Sequence, residues 1–422
     1  MKKNILRKAI HYLWLHGWKY KAVERQHKRL EEQLKGRKQL NVVFMALDVA
    51  LWRYQSIYEL MVADERFNPT VVLTPCMVRD AESDLRGLRK FFDERNIPYI
   101  DYDSKKGPVD IRKELRPDII FYTQPYEYLL IPEYDCRHFY DLLLCYMPYG
   151  FWSSTGKLSY NLHFHNMAWR LYYSTSLHLL EAQKVATNHG RNVRVVGYAN
   201  TDDYLKGHYE QVWKTIADGV KRKRVIWAPH FSIIPANSAF PPRGNFLWLA
   251  DMMLKFAKEY ADRIQIAFKP HPALLNQLYQ HPDWGKERAD AYYEQWRTME
   301  NTQLETGQFV DLFMTSDAMI HDSGSFAVEY HYSRKPVMFV THDKKSVYST
   351  LSEFGYKAYD LHYFGQNEAD VRHFIDDVVL GGNDPLRLQR EQFYHDYLLP
   401  PGEKSVAQNV MDDIVESLAL GK

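Results

Sequence analysis

From Asn41 onward, short apolar runs alternate with helical stretches, the alternation pauses, and then it starts again. NVVFMAL (41–47) leads into DVALWRYQSIYELMVAD, and PTVVLTP (69–75) into AESDLRGLRKFFDERN. IPYIDY, DIIFYTQP, DLLLCYMPYG and VRVVGYA (193–199) continue the series. Strands buried on both faces read as continuous apolar runs, and helices between them produce a parallel, doubly wound sheet. The polar stretch TDDYLKGHYEQVWKTIADGVKRK (201–223), helical in pattern, interrupts the series. The rhythm resumes with RVIWAP (224–229), a helix predicted over 246–261, RIQIAFKPHP, SDAMIHD and PVMFV (336–340). An α/β fold follows, with two Rossmann-like, doubly wound domains. Their expected extents are 41–205 and 206–390. A basic helical arm (1–40) precedes them, and helices over 391–422 follow, with a route back to the first domain open to them.

The 422 residues are ample for two such domains. A net charge of +1 argues against a nucleic-acid partner for the whole chain. Cys76, Cys136 and Cys145 show no CxxC spacing, so neither a disulfide framework nor a zinc site is expected, and a reducing compartment is the default. No run of about 18 apolar residues is present, so no membrane-spanning helix is expected. The 31 Tyr, 21 Phe and 10 Trp read first as packing, with aromatic platforms for bases or sugars as the other use.

Residues 1–40 carry twelve Lys/Arg against three Glu, 12 − 3 = +9. Leu6, Ile10 and Leu13 recur at helical spacing, with Trp14 and Trp18 beside them. Such a helix suits either an anionic membrane surface or the protein's own body. The start does not read as a signal peptide, because it has no small-residue cleavage site.

In open α/β sheets, ligands bind beyond the carboxyl ends of the strands. Three clusters stand at such ends in the second domain. Pro229, His230, Phe231 and Ser232 follow RVIWA. Lys269, Pro270, His271 and Pro272 follow IQIAF. His321, Asp322, Ser323, Gly324 and Ser325 follow DAMI. A glycine lets a backbone approach a ligand, the serines offer hydroxyls or a helix cap, and a helix start suits phosphate. Lys269 and His271 would add charge and donors for a diphosphate. His271 and His230 are also candidates for proton transfer. Glu329, inside the following helix, either reaches a ribose hydroxyl or is a solvated helix-face carboxylate. No EF-hand, HExxH, GxSxG, Walker A or DxD metal clamp occurs. Neither a metal nor a cofactor is expected, and the charge of a leaving group would fall to Lys, His and backbone N–H groups.

The order of WAPHF (227–231), KPHP (269–272) and HDSGSFAVEYHYSRKPVMFV (321–340) resembles the CDP-glycerol glycerophosphotransferase family, makers of teichoic-acid-type poly(glycerol phosphate). VVGYANTDDYL (195–205) is similar to that family's Gly-x-Pro-x-x-Asp junction, with Ala199 in place of proline. The resemblance spans roughly residues 140–390. It implies a GT-B fold, two Rossmann-like domains facing a cleft, with an acceptor domain first and a nucleotide-donor domain second. It also implies a CDP-activated donor, and a polymer or lipid-linked glycan as acceptor. The setting it implies is the cytoplasmic face of the membrane, in teichoic acid or capsule polysaccharide synthesis. Lys269, Asp322, Ser323, Gly324, Ser325 and Glu329 would bind the donor. The family's His-Gly pair, the supposed base, corresponds to Tyr149–Gly150, and a tyrosine is a poor base at neutral pH. His163, His165 or a second-domain histidine would then serve. The DSGS run also resembles the Asp-Ser-Gly-Gly segment of UDP-N-acetylglucosamine 2-epimerases. That keeps a nucleotide-sugar glycosyltransferase or an epimerase-like enzyme as the alternative.

Overall fold

The computed structural model describes residues 20–78, 80–234, 244–307 and 309–421. The chain divides into two compact units, 1–202 with 397–422, and 203–396.

The first unit is built on seven parallel strands: β1 (Leu40–Ala46), β2 (Phe67–Leu73), β3 (Tyr99–Ile100), β4 (Ile119–Tyr122), β5 (Leu143–Tyr146), β6 (Arg170–Tyr173) and β7 (Val193–Val195). Their order is β3-β2-β1-β4-β5-β6-β7. The second unit has six: β8 (Lys223–Ala228), β9 (Ile264–Phe268), β10 (Thr302–Leu304), β11 (Ala318–His321), β12 (Val337–Val340) and β13 (Tyr363–Gly365), in the order β10-β9-β8-β11-β12-β13. Both orders run outward from a first strand in two directions, so each sheet has a switch point, β1/β4 and β8/β11, where crossovers leave an open crevice.

Three strands escape the apolar-run criterion. β10 and β13 are three-residue edge strands. β6, Arg-Leu-Tyr-Tyr, opens on a buried Arg170 whose guanidinium bonds Asp413 (2.9 Å) and Ser417 (2.7 Å) of the carboxyl-terminal helix Val406–Ser417. The polar stretch 201–223 holds one helical turn, Thr201–Tyr204, and is otherwise irregular up to β8. It does not form the long helix expected there.

The carboxyl-terminal helix belongs to the first unit. Val406, Val410, Met411 and Ile414 pack with Phe44, Phe121 and Tyr172 in one core. Two features of VVGYANTD receive it. Gly197 has φ +106°, and a Cβ there would lie 2.8 Å from Val406 Cγ2 and 2.9 Å from Pro400. Asp202 accepts the backbone N–H groups of Val406 (2.8 Å) and Ala407 (3.1 Å). The junction motif is therefore a docking and capping device.

Of the basic arm, residues 20–34 are helical. Tyr20, His27 and Leu34, seven apart, are buried, and Glu31 accepts the Trp169 indole N–H at 2.7 Å. This part of the arm lies on the first unit. Leu6, Ile10, Leu13, Trp14 and Trp18 fall outside the described residues.

Candidate active site

Register brings the three clusters of the second unit to one edge. Ala228 pairs with His321 and Trp227 with Phe268, so β8, β9 and β11 end together. The connections that follow are tied backbone to backbone: Lys269 N–H to Trp227 O (2.8 Å) and His271 N–H to Pro229 O (3.1 Å). The rings of His230, Phe231 and His271 sit 4.5–5.6 Å apart.

Lys269 is the cation of this edge. It is buried, and its Nζ donates to the Gly307 carbonyl at 2.8 Å and lies 5.9 Å from the Phe309 ring centre. Among the described residues no carboxylate stands within ion-pair distance of it. Burial pulls its pKa down to about 8, against a weaker opposing pull from Glu305.

The ring chemistry of the two histidines follows from their backbone contacts. His271 Nδ1 receives the Ala273 N–H at 3.1 Å, so the neutral ring carries its proton on Nε2. His230 Nδ1 is engaged within its own turn, 2.9 Å from the Ser232 hydroxyl and 3.2 Å from the Ser232 N–H. Burial lowers the His271 pKa. In this form His271 is an N–H donor rather than a base.

Asp322 has a different task from the donor contact expected of it. Its carboxylate accepts the backbone N–H of His230 and the backbone and side-chain N–H groups of Asn245, whose amide also reaches Val340 O at 3.1 Å. It thus pins the ends of β8, β11 and β12 to the start of helix Phe246–Glu259. Burial raises its pKa to about 6, against those hydrogen bonds. An inward anion already saturated with donors is a poor phosphate ligand.

Ser323 is buried and Ser325 exposed, and Ser325 caps no helix. The following helix is one α turn, Phe326–Glu329, running into a tighter turn, Tyr330–Ser333. So short a segment offers little dipole, and the expected helix-start contribution shrinks accordingly. Gly324 has no left-handed backbone, and a Cβ there would meet open space. Room above the loop, rather than conformational freedom, is what its glycine supplies. Glu329 is buried and accepts the Tyr204 hydroxyl at 3.0 Å, so it is neither solvated nor presented to a ribose.

His321, placed in this cluster from sequence but given no task there, supports the loop. His321 ends β11 and is buried; its Nδ1–H donates to Ser323 O at 3.1 Å, and its Nε2 lies 3.3 Å from His362 Nε2.

In the first unit, the Tyr149 carbonyl accepts from Arg53 Nε (3.1 Å) and the Tyr198 hydroxyl (3.4 Å). Burial pushes the Tyr149 phenol further up, away from any role as base. His165 is also unsuited: it is buried, its Nδ1 takes the Leu162 N–H at 3.2 Å, and its pKa falls to about 3. His163 is half-buried, with Nδ1 3.1 Å from the Tyr140 hydroxyl and 3.6 Å from Glu127.

Two Rossmann-like units in one chain define a GT-B-like α/β protein. Residues 155–416 match the family model of CDP-glycerol:poly(glycerophosphate) glycerophosphotransferase, and the chain belongs to that family. It is an enzyme, a transferase of the glycerophosphate type. The fold is similar to UDP-GlcNAc 2-epimerase from Neisseria meningitidis bound to UDP-GlcNAc: 12% identity over 90% of this chain and 99% of that one, TM-score 0.55. UDP-GlcNAc 2-epimerase from Methanocaldococcus jannaschii also shares it, at 12% identity over 89% and 99% of the two chains, TM-score 0.56. A structure of the wall teichoic acid polymerase TagF with CDPG is similar at 12% identity over 99% and 98%, TM-score 0.51. Comparison with curated protein sequences yields no match.

Proposed function

We propose that the edge formed by β8, β9 and β11 holds the diphosphate of a CDP-activated glycerol (or related polyol) donor. The observation that carries this reading is Lys269, a buried ammonium with a carbonyl and an aromatic face for company and, among the described residues, no carboxylate within ion-pair distance. An incoming diphosphate supplies the missing anion and raises the lysine's pKa. His271 presents an Nε2–H group, His230 stands beside it, and Ser323 and Ser325 present hydroxyls. Asp322 and His321 hold the frame. No cofactor enters the scheme, since the activated donor brings its own leaving group.

An acceptor hydroxyl attacks the glycerol-bearing phosphorus. The new P–O bond forms as the bond to the bridging diphosphate oxygen breaks, and CMP departs with the electron pair. Lys269 and the His271 N–H group offset its charge. The hydroxyl proton goes to a base other than His271, whose Nδ1 lone pair is spent on Ala273. The acceptor is a cell-surface polymer or lipid-linked glycan of the teichoic acid or capsule type. The enzyme works at the inner membrane face, which the +9 charge of residues 1–40 favours. Residues 20–34 spend a face on the first unit, so lipid contact falls to the residues before them. Removing residues 1–19 should abolish co-sedimentation with anionic but not neutral vesicles; unchanged sedimentation refutes this part.

The donor assignment is tested by thermal shift. CDP at 100 times its Kd should stabilise the protein by about 2.7 kcal/mol, and Lys269→Ala should remove the effect. Stabilisation by UDP and not by CDP would overturn it in favour of a nucleotide-sugar donor. In transfer assays His271→Ala and Ser325→Ala should each lower turnover by more than about tenfold; near-normal turnover in both rejects the site.

A further inference from the structure

Along the carboxyl edge of the first sheet, buried polar atoms gather without protein partners. Gln124 Nε2 stands just beyond β4, Tyr146 Oη ends β5 and Tyr173 Oη ends β6. Tyr160 Oη and His165 Nε2 come from the connection between β5 and β6. All five residues are at most 2% exposed. The four rings among them surround one indole: Trp152, half-buried on the connection after β5, lies 6.3 Å from Tyr146, 5.1 Å from Tyr160, 5.6 Å from His165 and 5.6 Å from Tyr173. The hydroxyls of Tyr146 and Tyr173, and of Tyr173 and Tyr160, are close enough to influence each other electrostatically.

Unpaired buried polar atoms are rare and each is destabilising, so several around one ring need a reason. Their chemistry narrows it. The tyrosines both donate and accept. His165, with its Nδ1 taken by Leu162, contributes an Nε2–H, and Gln124 contributes amide donors. The cluster contains no cation, so a phosphate does not suit it. Neutral hydroxyls with C–H faces do, set between aromatic walls and a few placed polar groups. The cluster also stands where ligands enter a doubly wound sheet.

We propose that this cluster is the acceptor subsite: it takes the uncharged polyol end of the acceptor chain, whose hydroxyls bond Tyr146, Tyr160 and Tyr173 as Trp152 swings aside. The inference rests on the transferase reading and names the part of the acceptor that this unit recognises. It is tested with Tyr146→Phe, Tyr160→Phe, Tyr173→Phe and the triple variant, each of which removes a hydroxyl and keeps the ring. Oligo(glycerol phosphate) binding is measured in the absence of donor, and its KM in transfer with CDP-glycerol. Each substitution should weaken oligomer binding roughly fivefold, the net worth of one neutral hydrogen bond. Acceptor KM should rise in step, donor KM should stay unchanged, and the melting temperature should hold or rise. Variants that melt higher yet bind the oligomer as the parent does would overturn the proposal, marking the hydroxyls as hydrated or idle. A parent protein that fails to bind the oligomer would overturn it equally. Binding that depends on these hydroxyls, with no transfer from CDP-glycerol, would sink the donor reading and leave the subsite standing.

Discussion

In the proposed site, Lys269 is the side chain whose burial is hardest to explain by stability alone. A buried ammonium without an ion-pair partner among the described residues is a cost that the folded chain carries at neutral pH. Lys269→Met should therefore raise stability by on the order of 2 kcal/mol while abolishing the CDP-induced thermal shift. A melting temperature below the parent's would mean that the Gly307 and Phe309 contacts already compensate the charge. The same residue sets a pH limb. Its pKa near 8 belongs to the unliganded protein, and only the charged form attracts the diphosphate. Donor kcat/KM should fall as pH rises through about 8, and Lys269→Arg should move that limb beyond the measurable range. Both KPHP and HDSGS were legible in the sequence because strand-end clusters in a doubly wound sheet share an edge. The division of labour within them was not. Asp322 and Glu329 look like ligands in one dimension, and only the N–H groups of His230 and Asn245 and the hydroxyl of Tyr204 reveal them as frame.

Among the elements, the carboxyl-terminal helix depends most visibly on residues far from it in the chain. Asp202 accepts two of its first N–H groups, and Ser405 accepts the Gln408 N–H at 3.0 Å. Asp202→Ala should cost about 1–2 kcal/mol, read from the urea midpoint, with Ser405 limiting the loss. Gly197→Ala adds a Cβ against Val406 and Pro400 in a left-handed backbone, and should cost about 1–3 kcal/mol. A neutral result at Gly197 would show that the helix can shift. The short strand β6 teaches the same lesson from the other side. Its leading arginine hides it from an apolar pattern, because Asp413 and Ser417, more than 240 residues away, make the arginine fit to bury.

For the molecule as a whole, buried histidines govern the response to acid. Burial lowers the pKa of His27 and His178 to about 4, and of His165 and His362 to about 3; His271, His321 and His331 shift the same way. The unfolded chain, with histidines near 6.5, binds protons first as pH falls. Their contribution to stability is thus complete above about pH 6.5 and is lost progressively towards the folded values. Asp322 and Asp118, whose pKa values are raised, act in the opposite sense, Asp322 as pH falls through about 6, because the folded chain takes their protons first. Seven groups outweigh two, so the melting temperature should fall steadily between pH 7 and pH 5. A flat profile would mean that the histidine sites take up their protons without opening. Two doubly wound domains, their junction and the edge that the three polar clusters share could all be read from the order of apolar runs and polar knots, since strand burial and crossover geometry are local and repetitive. Which polar residue faces a ligand, which braces the frame and which remains unpaired around Trp152 could not. Those roles are set by donors and acceptors that meet through folding, and no spacing along the chain encodes them.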